Sequence, residues 1–370
     1  MNPTRVRLTR PLPIRPLPTR PLPTRTARLA ALLAIGLVAA AGCANRGATE
    51  PATGADAMTL DVGQISDSVA FFPIFVAEDQ GFFEDEGLTL AERPRLGTGA
   101  KLAAALESDS IDIAGGVMTD AYNLYQINDG ARVIGSLVNE YYVDIIAGEG
   151  IPESLDDAPL DEKVGALEGK AIGITGPGSG TEALVSYLLA QQDLDTATDV
   201  TLVNLGADPS AAVGALKAGR VDALSFFQPV GEQAEATGVG RIFISPARGD
   251  VPELADAVHG ALFTTQEVMD HKPDATAAFL RGIARAEELI STDDAAAAEL
   301  LQKYQSTMNP DTVALLAPVL QEEIPESPVP TESGYETSAT FHQESGLIPE
   351  PPSYADLVPS AWIESALQEK

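Results

Sequence analysis

Through residues 58–265 short apolar runs alternate with amphipathic stretches, and the alternation predicts strand, helix, strand in repeated order. Ten runs read as strands: Thr59–Ile65, Leu88–Glu92, Ile111–Ala114, Arg132–Leu137, Val143–Ala147, Ala171–Thr175, Val200–Asn204, Ala223–Phe226, Arg241–Ser245 and His259–Thr264. Between them, Pro73–Asp79, Gly99–Glu107, Asp120–Ile127, Ser179–Gln191, Pro209–Ala218 and Gln228–Ala236 carry helical periodicity. This order predicts an α/β body with mixed, mainly parallel sheets flanked by helices. After residue 265 the period is helical: Pro273–Leu289 places Ala277, Leu280, Ile283 and Ala284 on one face, and Thr292–Tyr304 continues in Ala-rich turns. Prolines at 325–330 and 349–352 divide the remaining helices.

One pattern occurs twice. Leu106-x4-Ile111-Asp112-Ile113-Ala114 and Leu216-x4-Val221-Asp222-Ala223-Leu224 both end a helix, turn, and open a strand beside an aspartate. Their spacing is too long for a solenoid repeat and suits two similar lobes; a common helix-turn-strand unit arising twice is the alternative. Asp112 and Asp222 read as structural.

The first 42 residues follow another logic. Seven arginines and no acid precede the apolar run Leu29–Gly42, and Pro-Leu-Pro-x-Arg recurs three times in residues 11–25. A basic segment, an apolar core of about a dozen residues and a small-residue end make an export signal. The run is shorter than the ~20 residues that span a bilayer. Ala40-Ala41-Gly42-Cys43 resembles a bacterial lipobox, with Ala40 where leucine is commoner, so residues 1–42 are expected to be removed and Cys43 lipidated. An ordinary secretory signal with an incidental cysteine is the alternative. Residues 43–57, small and polar after Cys43, read as a flexible tether.

The chain carries −31, and its first 42 residues contribute +7, leaving −38 on the remainder. Such acidity argues against nucleic acid as a partner, because phosphate neutralisation needs clustered Lys and Arg. Cys43 is the only cysteine, so with it taken by lipid no disulfide or thiol nucleophile is expected in the mature chain. His259, His271 and His342 lack metal-ligand spacing. No metal or cofactor is expected.

Three segments at predicted strand ends share one chemistry: Ser66-Asp67-Ser68, Gly115 to Asp120, and Gly176-Pro177-Gly178-Ser179-Gly180-Thr181-Glu182. In open α/β sheets ligands bind beyond the carboxyl ends of strands, where glycines admit close approach and free N–H groups supply hydrogen bonds. A tight turn with Ser179 or Thr181 capping a helix accounts for the third segment equally. It is no nucleotide loop, since Ser179 stands at the lysine position. Thr181 replaces the last glycine of a dinucleotide fingerprint, and Pro177 the first glycine of a hydrolase elbow.

An ordered set of motifs carries a resemblance. Pro73-x2-Val76-Ala77, Gly81-Phe82-Phe83-x3-Gly87-Leu88, Ala105-Leu106 with Ile111–Ala114, Gly169-Lys170-x-Ile172-Gly173-Ile174, Gly178–Thr181, Ala215-Leu216-x-Ala218-Gly219-x-Val221-Asp222-Ala223 and Gln228-Pro229 follow one another across residues 58–368. Together they resemble the ABC-transporter solute-binding lipoproteins of the alkanesulfonate, taurine, nitrate and thiamine-precursor superfamily. The resemblance implies the periplasmic-binding-protein type II fold: two lobes, two hinge crossings and a ligand in the cleft for an ABC permease. It places lobe one at residues 58–145 and 256–370 and lobe two at 146–255, with crossings near Tyr141–Ala147 and Pro252–Phe263. It implies a non-enzymatic, extracytoplasmic, lipid-anchored monomer.

Carried over by position, the cleft residues would be Ser66, Asp67, Ser68, Phe71, Met118, Thr119 and Asp120 from lobe one. Lobe two would give Gly178, Ser179, Gly180, Thr181, Phe227 and Gln228. Phe71 and Phe72 stack on a ligand or fill the core, and Tyr141 and Tyr142 face the cleft or the hinge. Gln228 stands where relatives often carry Glu. None of the three strand-end segments contains Arg or Lys, while Asp67 and Asp120 favour N–H donors or positive charge. Sulfonate, taurine or nitrate and a thiamine-precursor-like pyrimidine all remain open. Two rivals stand beside the receptor: a lipoprotein that signals to a membrane partner, and an enzyme like the related thiamine-pyrimidine synthases. The enzyme is disfavoured because the three segments hold neither histidine nor cysteine.

Overall fold

A computed structural model describes residue 52 and residues 54–368 except 92, all within one compact unit. Cys43, the signal segment and most of the tether lie outside the described residues. The end of the expected tether departs from flexibility. Gly54–Met58 forms a 3-10 turn, and Ala52 N donates to His271 O at 2.8 Å.

Eleven strands follow in chain order: β1 (Thr59–Leu60), β2 (Val62–Gln64), β3 (Thr89–Leu90), β4 (Ile113–Val117), β5 (Ala131–Val138), β6 (Val143–Ala147), β7 (Ala171–Ile174), β8 (Thr201–Asn204), β9 (Ala223–Phe227), β10 (Arg241–Ile244) and β11 (Gly260–Thr265). β1 pairs with β3, and the rest form two sheets. A four-stranded sheet is ordered β2-β4-β11-β5, and a five-stranded sheet β10-β6-β9-β7-β8. Both are mixed. β2–β4, β7–β8 and β7–β9 are parallel, whereas β4–β11, β5–β11, β6–β9 and β6–β10 are antiparallel. The antiparallel pairs arise because β6 and β11 open the segments that have just crossed from one sheet to the other. The chain crosses at residues 139–142 and returns at 245–259.

The repeated pattern is one construction built twice. Asp61 N donates to Asp112 Oδ2 at 2.8 Å while Asp112 N donates to Asp61 O at 2.7 Å. Likewise Ala171 N donates to Asp222 Oδ2 at 2.9 Å, and Asp222 N to Ala171 O at 2.7 Å. Each aspartate staples the start of one parallel strand to its neighbour, which accounts for its presence without a ligand.

The apolar faces close the core. Phe83 stacks on Phe279 at 5.0 Å, seating the long helix Pro273–Thr292 against the first lobe. The helix Glu332–Glu344 reaches the second lobe, where Phe341 packs on Tyr187 at 5.0 Å.

Candidate functional site

Between the carboxyl ends of the two sheets lies a cavity of about 460 Å³, a size suited to a small ligand. Two helix N-termini face into it. On one side Gly97-Thr98-Gly99 leads into the helix Gly99–Glu107; on the other Gly178-Ser179-Gly180 leads into Gly180–Ala190. The two turns share one local design. Gly97 and Gly178 adopt φ of 81° and 73°, the left-handed region that favours glycine. The next residue is extended and caps the helix: Thr98 Oγ1 accepts Lys101 N and Ser179 Oγ accepts Glu182 N, each at 3.3 Å. Asn123 Nδ2 spans the gap to Gly178 O at 3.2 Å, and Tyr141 OH donates to Gly180 O at 2.6 Å.

The floor is buried and polar, with Ser66, Ser68, Asp120, Tyr142, Thr181 and His259 lining it. Asp120 Oδ2 accepts Val117 N at 3.1 Å, the usual service of an acid in a helix's first turn. Its other oxygen lies over Gly99, where a Cβ would stand 1.7 Å away. Burial pushes the Asp120 carboxyl up to about 7 despite the opposing Val117 hydrogen bond. His259 is pinned through its backbone, N to Val138 O at 3.0 Å and O from Met118 N at 2.8 Å. Its ring packs between Tyr141 and Tyr142, burial holds it well below the usual histidine range, and Nδ1 is enclosed without a partner. Ala100, Ala103, Ile127, Val143, Pro177 and Phe227 give the cavity apolar walls.

Among the described lining residues there is no Arg or Lys. A unit charge 4 Å from Asp120 would experience about 4 kcal/mol at an effective dielectric near 20. A helix N-terminus offers an anion only ~0.3–1 kcal/mol, or ~2 in favourable partly buried geometry. When ionised, the carboxylate therefore outweighs either helix end.

Of the residues expected in the cleft, Ser66, Ser68, Asp120, Gly178, Ser179, Gly180, Thr181 and Phe227 line it. Five others are placed elsewhere. Asp67 turns outward to Arg95 at 2.6 Å. Phe71 is fully buried beneath Gly115, as its apolar ring demands, and Met118 joins the core on the far side of its helix. Thr119 is bonded to His342 at 2.6 Å; His342 Nδ1 donates to Ser338 O, so Nε2 accepts the threonine hydroxyl. Gln228 donates through Nε2 to Glu323 Oε1 at 2.9 Å, behind the cleft. Gly115 to Asp120 is no loop at all: Gly115–Val117 completes β4 and the helix Met118–Ile127 follows at once. Thr98, Gly99, Asn123, Asn204 and His259 also line the cavity. Gly97-Thr98-Gly99 repeats the signature of Gly178-Ser179-Gly180, a signal present in the sequence. His259 weakens the premise that no histidine faces the cleft.

Two lobes, each built on its own mixed sheet, closing on a cavity at the strand ends define a periplasmic-binding-protein fold. Solved structures agree. The ligand-binding component of an ABC-type import system from Staphylococcus aureus, with zinc bound, superposes with a TM-score of 0.67 at 16% identity, covering 84% of this chain and 100% of that one. The alkanesulfonate-binding protein SsuA of Xanthomonas axonopodis pv. citri, bound to MOPS, gives 0.63 at 20% identity, covering 84% and 99%. A Bacillus subtilis (strain 168) protein named "Putative binding protein YtlA" is 23% identical over 320 residues, 84% of this chain and 90% of its own. The chain belongs to the NMT1-like family, whose model matches residues 54–304. No helix among the described residues is long and apolar enough to cross a membrane.

Proposed function

We propose that this protein is an extracytoplasmic solute receptor, anchored through a lipid on Cys43, which captures a small organic molecule between its lobes and passes it to an ABC importer. One observation carries the reading: two matched glycine-flanked helix caps, one from each lobe, face each other across a cavity with a buried polar floor. A ligand touching both sides favours the closed arrangement, which is how a receptor signals occupancy to a permease. The names of the import-system component, SsuA and YtlA support the role. The lobes are read as residues 58–145 with 256–370, and 146–255.

The test is a thermal-shift screen of the purified protein followed by calorimetry, since a ligand that binds only the folded state raises its melting temperature. A hit weakened by Phe227→Ala, together with loss of uptake of that solute on gene deletion, supports the receptor. Catalytic turnover of the solute, or uptake unchanged by deletion, counts against it. Mass spectrometry of the cell-derived protein tests the lipid at Cys43.

A further inference from the structure

Building on that receptor reading, we infer that the guest is a nitrogen cation, an amidinium, guanidinium or ammonium head on an apolar body, and that Asp120 receives the head.

An anion would need free N–H donors, and several of those around the cavity are already claimed by the chain's own acceptors. Val117 N is held by Asp120 Oδ2, Gly178 N by the Glu182 carboxylate and Glu182 N by Ser179 Oγ. Lys101 N is held by Thr98 Oγ1, Thr175 N by Thr181 Oγ1 and Ser68 N by Ser66 Oγ. Two of these acceptors are carboxylates, which repel a sulfonate or nitrate brought to the same turns. With no Arg or Lys in the lining, Asp120 is the one ionisable acid or base an anion would meet there besides His259 and Tyr142.

What remains is an acceptor. Asp120 is 4% exposed, and its Oδ1 makes no hydrogen bond while the residue lines the cavity. Gly99 leaves room for that oxygen, because any side chain there would collide with it. His259, neutral and with Nδ1 unpartnered, adds a second polar group beside an otherwise apolar wall. The aromatic rings of Tyr142 and Phe227 suit the body of such a guest and attract cations. A chain of net charge −31 also draws cations toward it.

The pH dependence follows from Asp120 alone. The titratable groups facing it are His259, Tyr141 and Tyr142; His342 lies behind Thr119, and Glu182 and the exposed Lys101 flank the two helix N-termini. Burial holds both histidines neutral and the tyrosines protonated near pH 7. Burial pushes the Asp120 carboxyl up to about 7, so cation affinity rises as pH passes from 6 to 8.

Calorimetry and thermal shift with shape-matched probes test this: benzamidinium, benzylammonium and choline against benzoate, benzenesulfonate and nitrate. The expected result is binding by at least one cation, about tenfold or more weaker in Asp120→Asn, an isosteric change that keeps an acceptor for Val117 N, and tighter at pH 8 than at pH 6. Preference for the anions, with affinity falling as pH rises, overturns the charge assignment and leaves the receptor reading standing. So does silence from every cation at millimolar concentration. Probe binding indifferent to both Asp120→Asn and Phe227→Ala moves the site out of the cleft and overturns both readings.

Discussion

Two groups of buried carboxyls among the described residues differ in their surroundings. At the cleft floor Asp120 has one oxygen bonded to its own helix and the other beside open space. At the crossings between the lobes Asp144, Glu232 and Glu323 crowd together with Gln228 and Ser245. Both oxygens of Asp144, Oε2 of Glu232 and of Glu323, Oε1 of Gln228 and Oγ of Ser245 are enclosed without partners. Arg248, half exposed and 3.6 Å from Glu232, is the cation paired with this cluster. No group of three or more His, Cys, Asp or Glu side chains converges with metal spacing among the described residues. Burial therefore drives the cluster to hold protons, and Glu323 is pushed up to about 8. The contrast teaches that a buried acid beside a void is a place for a guest, whereas buried acids without one are neutralised from within.

Gly99 is where this difference breaks most readily. Gly99→Ala puts a methyl group onto Asp120 Oδ1, so benzamidinium binding should disappear and the fold should lose about 1–3 kcal/mol from overpacking, read by calorimetry and urea unfolding. Retained affinity would mean that Asp120 is not positioned by this glycine.

The crossing cluster is tested by stability against pH. Its folded-state acids are raised, so the folded chain binds more protons than the unfolded one between about 4.5 and 8 for Glu323. Stability from this source is complete below that window and declines as pH rises through it, each tenfold difference in proton affinity being worth about 1.4 kcal/mol. The buried histidines act oppositely, losing stability as pH falls from about 6.5 toward 4 for His342, so the clean range is pH 7 to 9. There urea midpoints should fall with pH, and Glu323→Gln should flatten the fall. A rising midpoint would show the cluster ionised.

Glu287 sharpens the rule from a third site. It is fully buried in the helix Pro273–Thr292 with neither oxygen bonded, and it takes no part in the cavity lining. Glu287→Leu should raise stability by about 1–3 kcal/mol, the cost of an unsatisfied buried polar group. The smallest effect belongs to the caps: Ser179→Ala should cost about 1 kcal/mol through the lost bond to Glu182 N.

Local pattern made much of the fold legible. Val143–Ala147 and Gly99–Glu107 stand at the bounds their periodicity predicts, because alternation and capping are decided by near neighbours. The cavity lining was legible where glycine, hydroxyl and helix meet, as at Gly178–Thr181. Phe71 and Met118 lie outside the cavity lining because adjacency in sequence does not decide which way a residue faces, and burial claimed both. His259 was not legible, since its place depends on β11 inserting between β4 and β5, a tertiary event with no local signature. Gln228 was claimed by Glu323, a partner 95 residues away.

That insertion has a temporal side. β11 is an inner strand of the four-stranded sheet, yet it is made only after every strand of the five-stranded one. During synthesis β4 and β5 therefore wait with unmatched edges, and the first lobe cannot mature until the second has emerged. A polypeptide whose assembly is postponed in this way keeps its first half open until the return crossing has been made.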